Sequence, residues 1–323
     1  MKYRRIGKSG LKVSEIAMGS WMTDLSGSEE AKTAKEVIQK AVEEGVNFFD
    51  CADAYGNGQA ERFLGEALKE YERSKLVISS KVFFPTGGGA NESGLSRKHI
   101  MENIDRSLKN MRVDYLDLYY CHRYDENTDL EETLTALSDL VRDGKILYYG
   151  VSEGWTATKI MEAQKIISDK RLYPLSVIQP QYHMMDRYIE HEIIDLCEKF
   201  GIGITPFSPL AQGLLTGKYK KGERLPEGSR ATWQADKQIN QLLTEDNLDK
   251  VEKLNVIAKD LGIEMSVLAL AWLLRNPVVS SVITGASNPE QLEKNIAASG
   301  VILSNDVLRE IENILGFHKF IRR

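Results

Sequence analysis

The sequence has few cysteines, and they form no pattern typical of a disulfide framework or a zinc site. Cys51, Cys121 and Cys197 are odd in number, and no two of them make a CxxC pair. Disulfide-rich domains and structural zinc modules carry more cysteines at closer spacing. We therefore expect reduced thiols and no resident metal.

Two further features that the sequence lacks are an excess of positive charge and a long apolar run. The chain has 42 Lys and Arg residues against 47 Asp and Glu, a formal net charge of −5, whereas nucleic-acid-binding proteins are typically basic. Its longest apolar run, Met265 to Leu274, is too short to span a bilayer, and no signal-peptide core follows the start MKYRRIGKSG. We expect a cytoplasmic protein with neither membrane insertion nor a nucleic-acid partner.

What the sequence does contain is a regular alternation of short apolar runs and amphipathic helical stretches. Parallel strands need crossover connections, and eight strand-helix units can close a barrel, so the pattern predicts a (β/α)8 TIM barrel. We expect it to occupy residues 1–323 as one domain; an open doubly wound sheet is the alternative. Candidate strands lie at 15–19, 47–51, 76–82, 114–121, 146–151, 176–181, 203–207 and 281–285.

Three segments exceed this simple repeat. YRRIG followed by LKVSEIAM predicts an N-terminal β-hairpin, and a long loop runs from Leu210 to about Leu243 before the last strand-helix units. An extra C-terminal helix is predicted near Asp306 to Leu315. Loops of that length are often functional lids or disordered segments.

Titratable side chains stand at or just after the ends of consecutive predicted strands. Asp50 ends NFFD, Tyr55 lies on the loop that follows, Lys81 follows LVISS, and His122 follows YLDLYYC. The carboxyl ends of barrel strands open on one face, so these groups can converge there. Because a nearby ammonium favours a phenolate, we expect Lys81 to lower the pKa of Tyr55, the general acid, while Asp50 holds Lys81 and His122 binds a substrate oxygen. Each residue alone would have an ordinary structural explanation; their joint placement favours catalysis.

Two other kinds of site were weighed from the residues. A metal site made of Asp50, Cys51, Cys121 and His122 is disfavoured because adjacent strand residues point to opposite faces. The GNG and GGG segments complete no phosphate-loop motif. After the last strand, GASNPEQ predicts a helix start capped by Asn288, which suits an anion and equally suits an ordinary cap.

Taken together, these motifs make the chain resemble the aldo-keto reductase superfamily. The resemblance is carried by NFFDCADAYGNGQAERFLGEALK, SSK, DYLDLYYCH, GVS, VIQPQYHM, PFSPLAQGLLTGKY and SVITGASNPEQLEKN. GLSRKHI, QYHM, SPLAQGLLTGKY and GASNPEQL are most similar to the branch that contains the voltage-gated potassium-channel β subunits. The resemblance implies a (β/α)8 barrel that binds NADP(H) without a Rossmann fold, with a catalytic tetrad at Asp50, Tyr55, Lys81 and His122.

The same resemblance implies a set of cofactor contacts beyond Asp50. Two positions depart from relatives: Glu153 replaces an Asn or Arg near the nicotinamide half, and Lys294 replaces an acid near the 2′-phosphate, which favours NADP over NAD. The implied contacts are Ser20 and Trp21 after the first barrel strand; Ser152 and Gln179 at the carboxamide; Phe207, Ser208, Pro209, Leu210 and Ala211 along the pyrophosphate, with Gln212 and Lys218 just beyond; and Arg230, Gly285, Ser287, Gln291, Lys294 and Asn295 around the adenosine phosphate.

Two functions are compatible with this resemblance. The first is an NADPH-dependent reductase of small aldehydes or ketones with Tyr55 as acid. The alternative is an NADP-binding, redox-sensing interaction subunit like the channel β subunits. His122 favours the reductase, since the channel subunits usually carry an amide there. A homo-oligomer is compatible with either.

Overall fold

The computed structural model describes residues 1–21, 28–232 and 238–316. Residues 233–237 of the predicted long loop, and the last seven residues of the predicted domain, lie outside these ranges. Two short strands form an antiparallel hairpin, and eight strands form one parallel sheet, as the sequence predicts. The hairpin strands are β1 Tyr3–Arg5 and β2 Lys12–Ser14; the sheet strands are β3 Ile16–Gly19, β4 Phe48–Asp50, β5 Val77–Val82, β6 Leu116–Arg123, β7 Ile146–Glu153, β8 Leu175–Ile178, β9 Gly203–Ile204 and β10 Val282–Thr284.

The sheet closes on itself. Its order is β10-β3-β4-β5-β6-β7-β8-β9, so β10 and β9 are the two ends. Across that gap the N–H of Ser280 donates to the carbonyl of Ile204 at 2.8 Å, and the N–H of Ile283 donates to that of Pro206 at 3.0 Å. These bonds complete the (β/α)8 barrel. The alternative prediction of an open doubly wound sheet is therefore wrong.

Helices follow the strands around the outside of the barrel. The predicted C-terminal helix is confirmed as α11, but α8 lies where the sequence analysis assigned no element. Thr244 caps α8 by accepting a hydrogen bond from the N–H of Asn247. The helices are α1 Ser28–Glu43, α2 Gln59–Leu68, α3 Arg97–Met111, α4 Leu130–Arg142, α5 Ala157–Lys170, α6 Ile193–Phe200, α7 Gln238–Leu242, α8 Glu245–Asp260, α9 Met265–Leu274, α10 Pro289–Ile296 and α11 Asn305–Leu315.

β8 and β9 are shorter than predicted because prolines interrupt them. Pro180 and Pro206 have no N–H to donate, so neither can continue a regular ladder. Pairing resumes around them, since the N–H of Thr205 donates to the carbonyl of Ile178 at 2.9 Å and the N–H of Phe207 to that of Pro180 at 3.0 Å. The chain therefore stays extended to the mouth of the barrel although the regular strands end earlier.

Strand alternation separates two apolar cores. Phe48 packs inside the barrel with residues such as Tyr120 and with Ile6 from the hairpin turn. Phe49 and Cys51 belong to the core between the strands and the helices, together with Cys121. Because Phe48 faces inward, Asp50 does so as well, and the two cysteines point away from the mouth as predicted.

Candidate active site at the mouth of the barrel

A buried ion pair lies at the carboxyl ends of β4 and β5. The Nζ of Lys81 is 2.6 Å from Oδ2 of Asp50 and 2.6 Å from the carbonyl oxygen of Cys51. The other carboxylate oxygen, Oδ1, accepts hydrogen bonds from Ser79 Oγ at 2.6 Å and from Gln179 Nε2 at 3.0 Å. Both charges are therefore paired and hydrogen-bonded, which a buried pair requires.

Lys81 stays cationic despite its burial. Its side chain is 0% exposed, which by itself would lower the pKa of the ammonium. The carboxylate of Asp50 opposes this effect, and with the other polar neighbours it keeps the pKa of Lys81 above its ordinary value. The site thus contains a fixed positive charge at neutral pH.

Tyr55 adjoins this ion pair. The Nζ of Lys81 donates to the Tyr55 hydroxyl at 3.3 Å and lies 5.0 Å from the centre of its ring. Burial raises the pKa of Tyr55 to about 12, although Lys81 acts in the opposite direction. The predicted lowering of the Tyr55 pKa is therefore wrong for the protein without cofactor or substrate, because the effect of burial is larger than that of the Lys81 ammonium. The hydroxyl keeps its proton at neutral pH, as a general acid must.

His122 stands beside Tyr55 at the end of β6. The two rings meet edge to face with centroids 5.8 Å apart, and the ring of Phe84 meets His122 in the same way at 4.9 Å. Burial, helped by the positive charges of Lys81 and Arg123, lowers the pKa of His122 to about 2. Its imidazole is therefore neutral. Among the described residues, the buried Nδ1 has no hydrogen-bond partner.

An ion pair at the ends of β6 and β7 lies next to the ring of Phe84. The guanidinium of Arg123 lies 5.3 Å from the ring centre of Phe84 and forms an ion pair with Glu153 at 2.6 Å. Arg123 and Glu153 face each other across the last rung between β6 and β7. Glu153, the residue that departs from relatives, thus pairs with an arginine of its own chain.

Three of the predicted cofactor contacts surround Asp50. Ser20 Oγ donates to the backbone carbonyl of Asp50 at 2.8 Å. Ser152 Oγ donates to the carbonyl of Gln179 at 2.6 Å, and the Gln179 side chain reaches Asp50. All three side chains are buried at the mouth, next to the catalytic candidates.

The segment after β9 has an unusual backbone that suits an anion. Ser208, Ala211 and Gln212 have φ of 52°, 49° and 58°, and Gly213 continues the left-handed run at 97°. Turns of this kind can present backbone N–H groups to an anion. Here the N–H groups of Ala211 and Gly213 donate within the segment, to the carbonyls of Ser208 and Leu210, each at 2.9 Å. The buried Oε1 of Gln212 has no partner in the described part of the chain, so an acceptor remains for a ligand donor. Phe207, Pro209 and Leu210 belong to the same segment, and Lys218 is exposed just beyond it.

The segment after β10 is a capped helix start, as predicted. Oδ1 of Asn288 accepts from the N–H of Gln291 at 2.9 Å, and Oε1 of Gln291 accepts from the N–H of Ser287 at 3.0 Å. Asn295 donates to the carbonyl of Gly285 at 3.1 Å. Two cations lie on this side of the barrel. The Nζ of Lys294 is 3.4 Å from Glu264. The guanidinium of Arg230 is 5.3 Å from the ring centre of Trp21, which is 45% exposed.

Sequence comparison decides the family. The model of the Aldo/keto reductase family matches residues 15–315, which include the barrel and the site. The chain belongs to the aldo/keto reductase family. Its (β/α)8 barrel with the site at the carboxyl ends of the strands agrees with this assignment.

Similar members of the family have names that refer to potassium channels. A probable voltage-gated potassium channel subunit beta from Arabidopsis thaliana is 44% identical over 98% of this chain and 97% of its own. The protein of that name from Oryza sativa subsp. japonica is 42% identical over the same shares. A putative voltage-gated potassium channel subunit beta from Schizosaccharomyces pombe is 40% identical over 98% of this chain and 93% of its own.

Two negative observations apply to the described ranges of this aldo/keto reductase. No helix there is long and apolar enough to cross a membrane. Within those ranges, no cluster of three or more His, Cys, Asp and Glu residues could hold a metal ion.

The sequence analysis missed Ser79 as a site residue. Ser79 pairs with Asp50 in the β4–β5 register and hydrogen-bonds its carboxylate. The signal was present, because Ser79 precedes Lys81 by two residues and a strand places such residues on one face. Asp53, which is fully buried two residues before Tyr55, was also missed.

Proposed function

We propose that this protein is an NADPH-dependent reductase of small aldehydes or ketones. The observation that carries the proposal is the placement of the Tyr55 hydroxyl, 3.3 Å from the Lys81 ammonium and beside the neutral ring of His122. A protonated phenol, a fixed cation and a neutral imidazole around one position suit protonation of a carbonyl oxygen.

Each member of the tetrad has a role in this reaction. Bound NADPH would supply the hydride that reduces the carbonyl carbon. Tyr55 donates its proton to the carbonyl oxygen, and Lys81 stabilises the phenolate that remains. Asp50 keeps Lys81 charged and in position, and His122 donates a hydrogen bond that orients the same oxygen.

The cofactor site that we propose runs along the mouth of the barrel. Ser20, Trp21, Ser152 and Gln179 would hold the nicotinamide half, and the segment from Ser208 to Gln212, in which Ser208, Ala211 and Gln212 are left-handed, would hold the pyrophosphate. Arg230 and Lys294 would meet the 2′-phosphate that NADPH has and NADH lacks, which favours NADPH. Gly285, Ser287, Gln291 and Asn295 would complete the adenosine end.

The names of the relatives support a second candidate function. A protein 40–44% identical to chains named as channel β subunits could be an NADP-binding subunit that reports redox state to a partner. In that case we expect a homo-oligomer, and in both cases a cytoplasmic location. His122 favours turnover, because a neutral imidazole beside Tyr55 can orient a substrate oxygen.

The experiment that tests the reductase measures NADPH oxidation by 4-nitrobenzaldehyde, with the same reaction lacking aldehyde as control. Multiple turnovers that depend on the aldehyde support the enzyme. Binding of NADPH without its oxidation, even at saturating aldehyde, contradicts the reductase and favours the interaction subunit.

A further inference from the structure

The loop that carries Tyr55 is tied to one face of α3 on both sides of the tyrosine. Two residues before Tyr55, Oδ2 of Asp53 accepts from Nδ2 of Asn103 at 2.8 Å. Two residues after it, Oδ1 of Asn57 accepts from Nη2 of Arg106 at 2.5 Å. Asn103 and Arg106 are three residues apart, so they stand one above the other on the helix. The position of the Tyr55 loop is therefore set by α3.

Asp53 is a fully buried carboxyl group that forms no ion pair with any residue of the described ranges. It is 0% exposed, and Nδ2 of Asn103 divides its bonds between Asp53 and the hydroxyl of Tyr119 on β6, which is 3.2 Å away. Within the described part of the chain, Oδ1 of Asp53 and Oδ1 of Asn103 are both buried without a partner. An ionised carboxylate only accepts hydrogen bonds, whereas a protonated one also donates. Two neighbouring buried acceptors that lack a donor favour the protonated form of Asp53, because its O–H supplies one.

Of the charges around Asp53, that of Glu61 favours the neutral acid and that of Arg106 opposes it. Glu61, on α2, is 0% exposed and is held by the hydroxyl of Ser80 at 2.7 Å and the amide of Asn110 at 2.8 Å. Arg106 on α3 is the cation that faces Asp53. Burial raises the pKa of Asp53 to about 7, and Glu61 adds to this rise. The backbone N–H of Ala54, the amide of Asn103 and the charge of Arg106 oppose it.

We propose that Asp53 is a positioning residue for Tyr55, holding the loop in its working place as a neutral acid and releasing it when the carboxyl ionises. The proton is lost to solvent and leaves a buried carboxylate near Glu61, which only movement of the loop can hydrate. The tyrosine, two residues away, then loses its alignment with Lys81. The effect on turnover rests on the proposed reductase activity; the ionisation of Asp53 does not.

The first test is the pH profile of single-turnover NADPH oxidation by saturating 4-nitrobenzaldehyde. In the parent protein we expect the rate to fall with rising pH around a midpoint near 7. Asp53→Asn, which cannot ionise, should lose this alkaline fall whatever its rate at pH 6. Glu61→Gln tests the direction of the effect: it removes a negative charge that raises the pKa of Asp53, so it should move the midpoint to lower pH. An Asp53→Asn profile with the parent midpoint overturns the proposal.

The second test needs no activity. Asp53 has its pKa raised on folding from an ordinary value of about 3.9. Its neutral form therefore stabilises the folded state fully below that value, and this stabilisation is lost as pH rises towards 7. The unfolding constant of the parent in urea should rise relative to that of Asp53→Asn by nearly tenfold (about 8-fold) between pH 5 and 6, and by about 5-fold between pH 6 and 7. Parallel pH dependences would refute ionisation at Asp53. A protein without turnover that still shows the difference would disprove the reductase and keep Asp53 as an ionising loop residue.

Discussion

The ammonium of Lys81 lies 2.6 Å from the carboxylate of Asp50, with the two side chains at the ends of adjacent strands. The register explains the contact: Asp50 pairs with Ser79, so Lys81 is two residues further along β5 on the same inward face. Removing either residue leaves the charge of the other buried without its partner. This pair should therefore contribute to folding as well as to the site.

We predict that Lys81→Met destabilises the protein by about 3–5 kcal/mol, because it leaves the Asp50 carboxylate buried without its cation. The measurement is the free energy of unfolding in urea at pH 7. Adding Asp50→Asn to Lys81→Met removes the orphaned charge and should recover part of the loss. A double variant that is as unstable as the sum of the two single variants would show that the two charges do not interact.

The second prediction concerns the acid. Tyr55→Phe keeps the ring and removes the hydroxyl, so aldehyde reduction should fall by roughly 10²–10⁴-fold. NADPH affinity should change little, because the Tyr55 hydroxyl contacts Lys81 and is not among the proposed cofactor contacts. Tyr3→Phe is the matched control: it removes a hydroxyl bonded to the carbonyl of Gly45 in the N-terminal hairpin region and should leave turnover unchanged. Turnover of Tyr55→Phe within a few-fold of the parent would rule out the assignment.

The catalytic candidates could be placed from sequence because strand periodicity decides which side chains face inward. Asp50, Lys81 and His122 each end or follow a run whose alternation can be read directly, and the barrel brings the ends together. The pKa of Tyr55 could not be predicted in the same way. Its direction depends on whether desolvation outweighs the ammonium of Lys81, and burial is a property of the packed structure. The Asp53–Asn103 contact joins residues 50 positions apart, so no local pattern reveals it.

The third prediction concerns cofactor preference. Arg230→Ala with Lys294→Ala should weaken NADPH much more than NADH, because the 2′-phosphate is the group that these cations would meet. Lys294 is now 3.4 Å from Glu264, and both side chains are more than half exposed. Glu264→Gln should release Lys294 and tighten NADPH modestly, while leaving NADH unchanged. The measurement is fluorescence titration with each cofactor. Equal weakening of both in the double variant would mean that these residues act through the fold.

The last prediction separates the two proposed functions through His122. A pKa of about 2 keeps this imidazole neutral across the range of ordinary assays, so its NMR signals should not titrate between pH 5 and 9. As a neutral donor beside Tyr55 it should orient the carbonyl oxygen, and His122→Asn should then slow single-turnover oxidation of bound NADPH by saturating aldehyde. The NADPH dissociation constant should stay the same, because His122 is not among the proposed cofactor contacts. An interaction subunit requires the opposite result: its turnover is already very slow, so parent and His122→Asn would oxidise NADPH at the same rate, near zero. A drop in rate at constant cofactor affinity supports the reductase, since only a working catalytic site is sensitive to the orientation of its substrate oxygen.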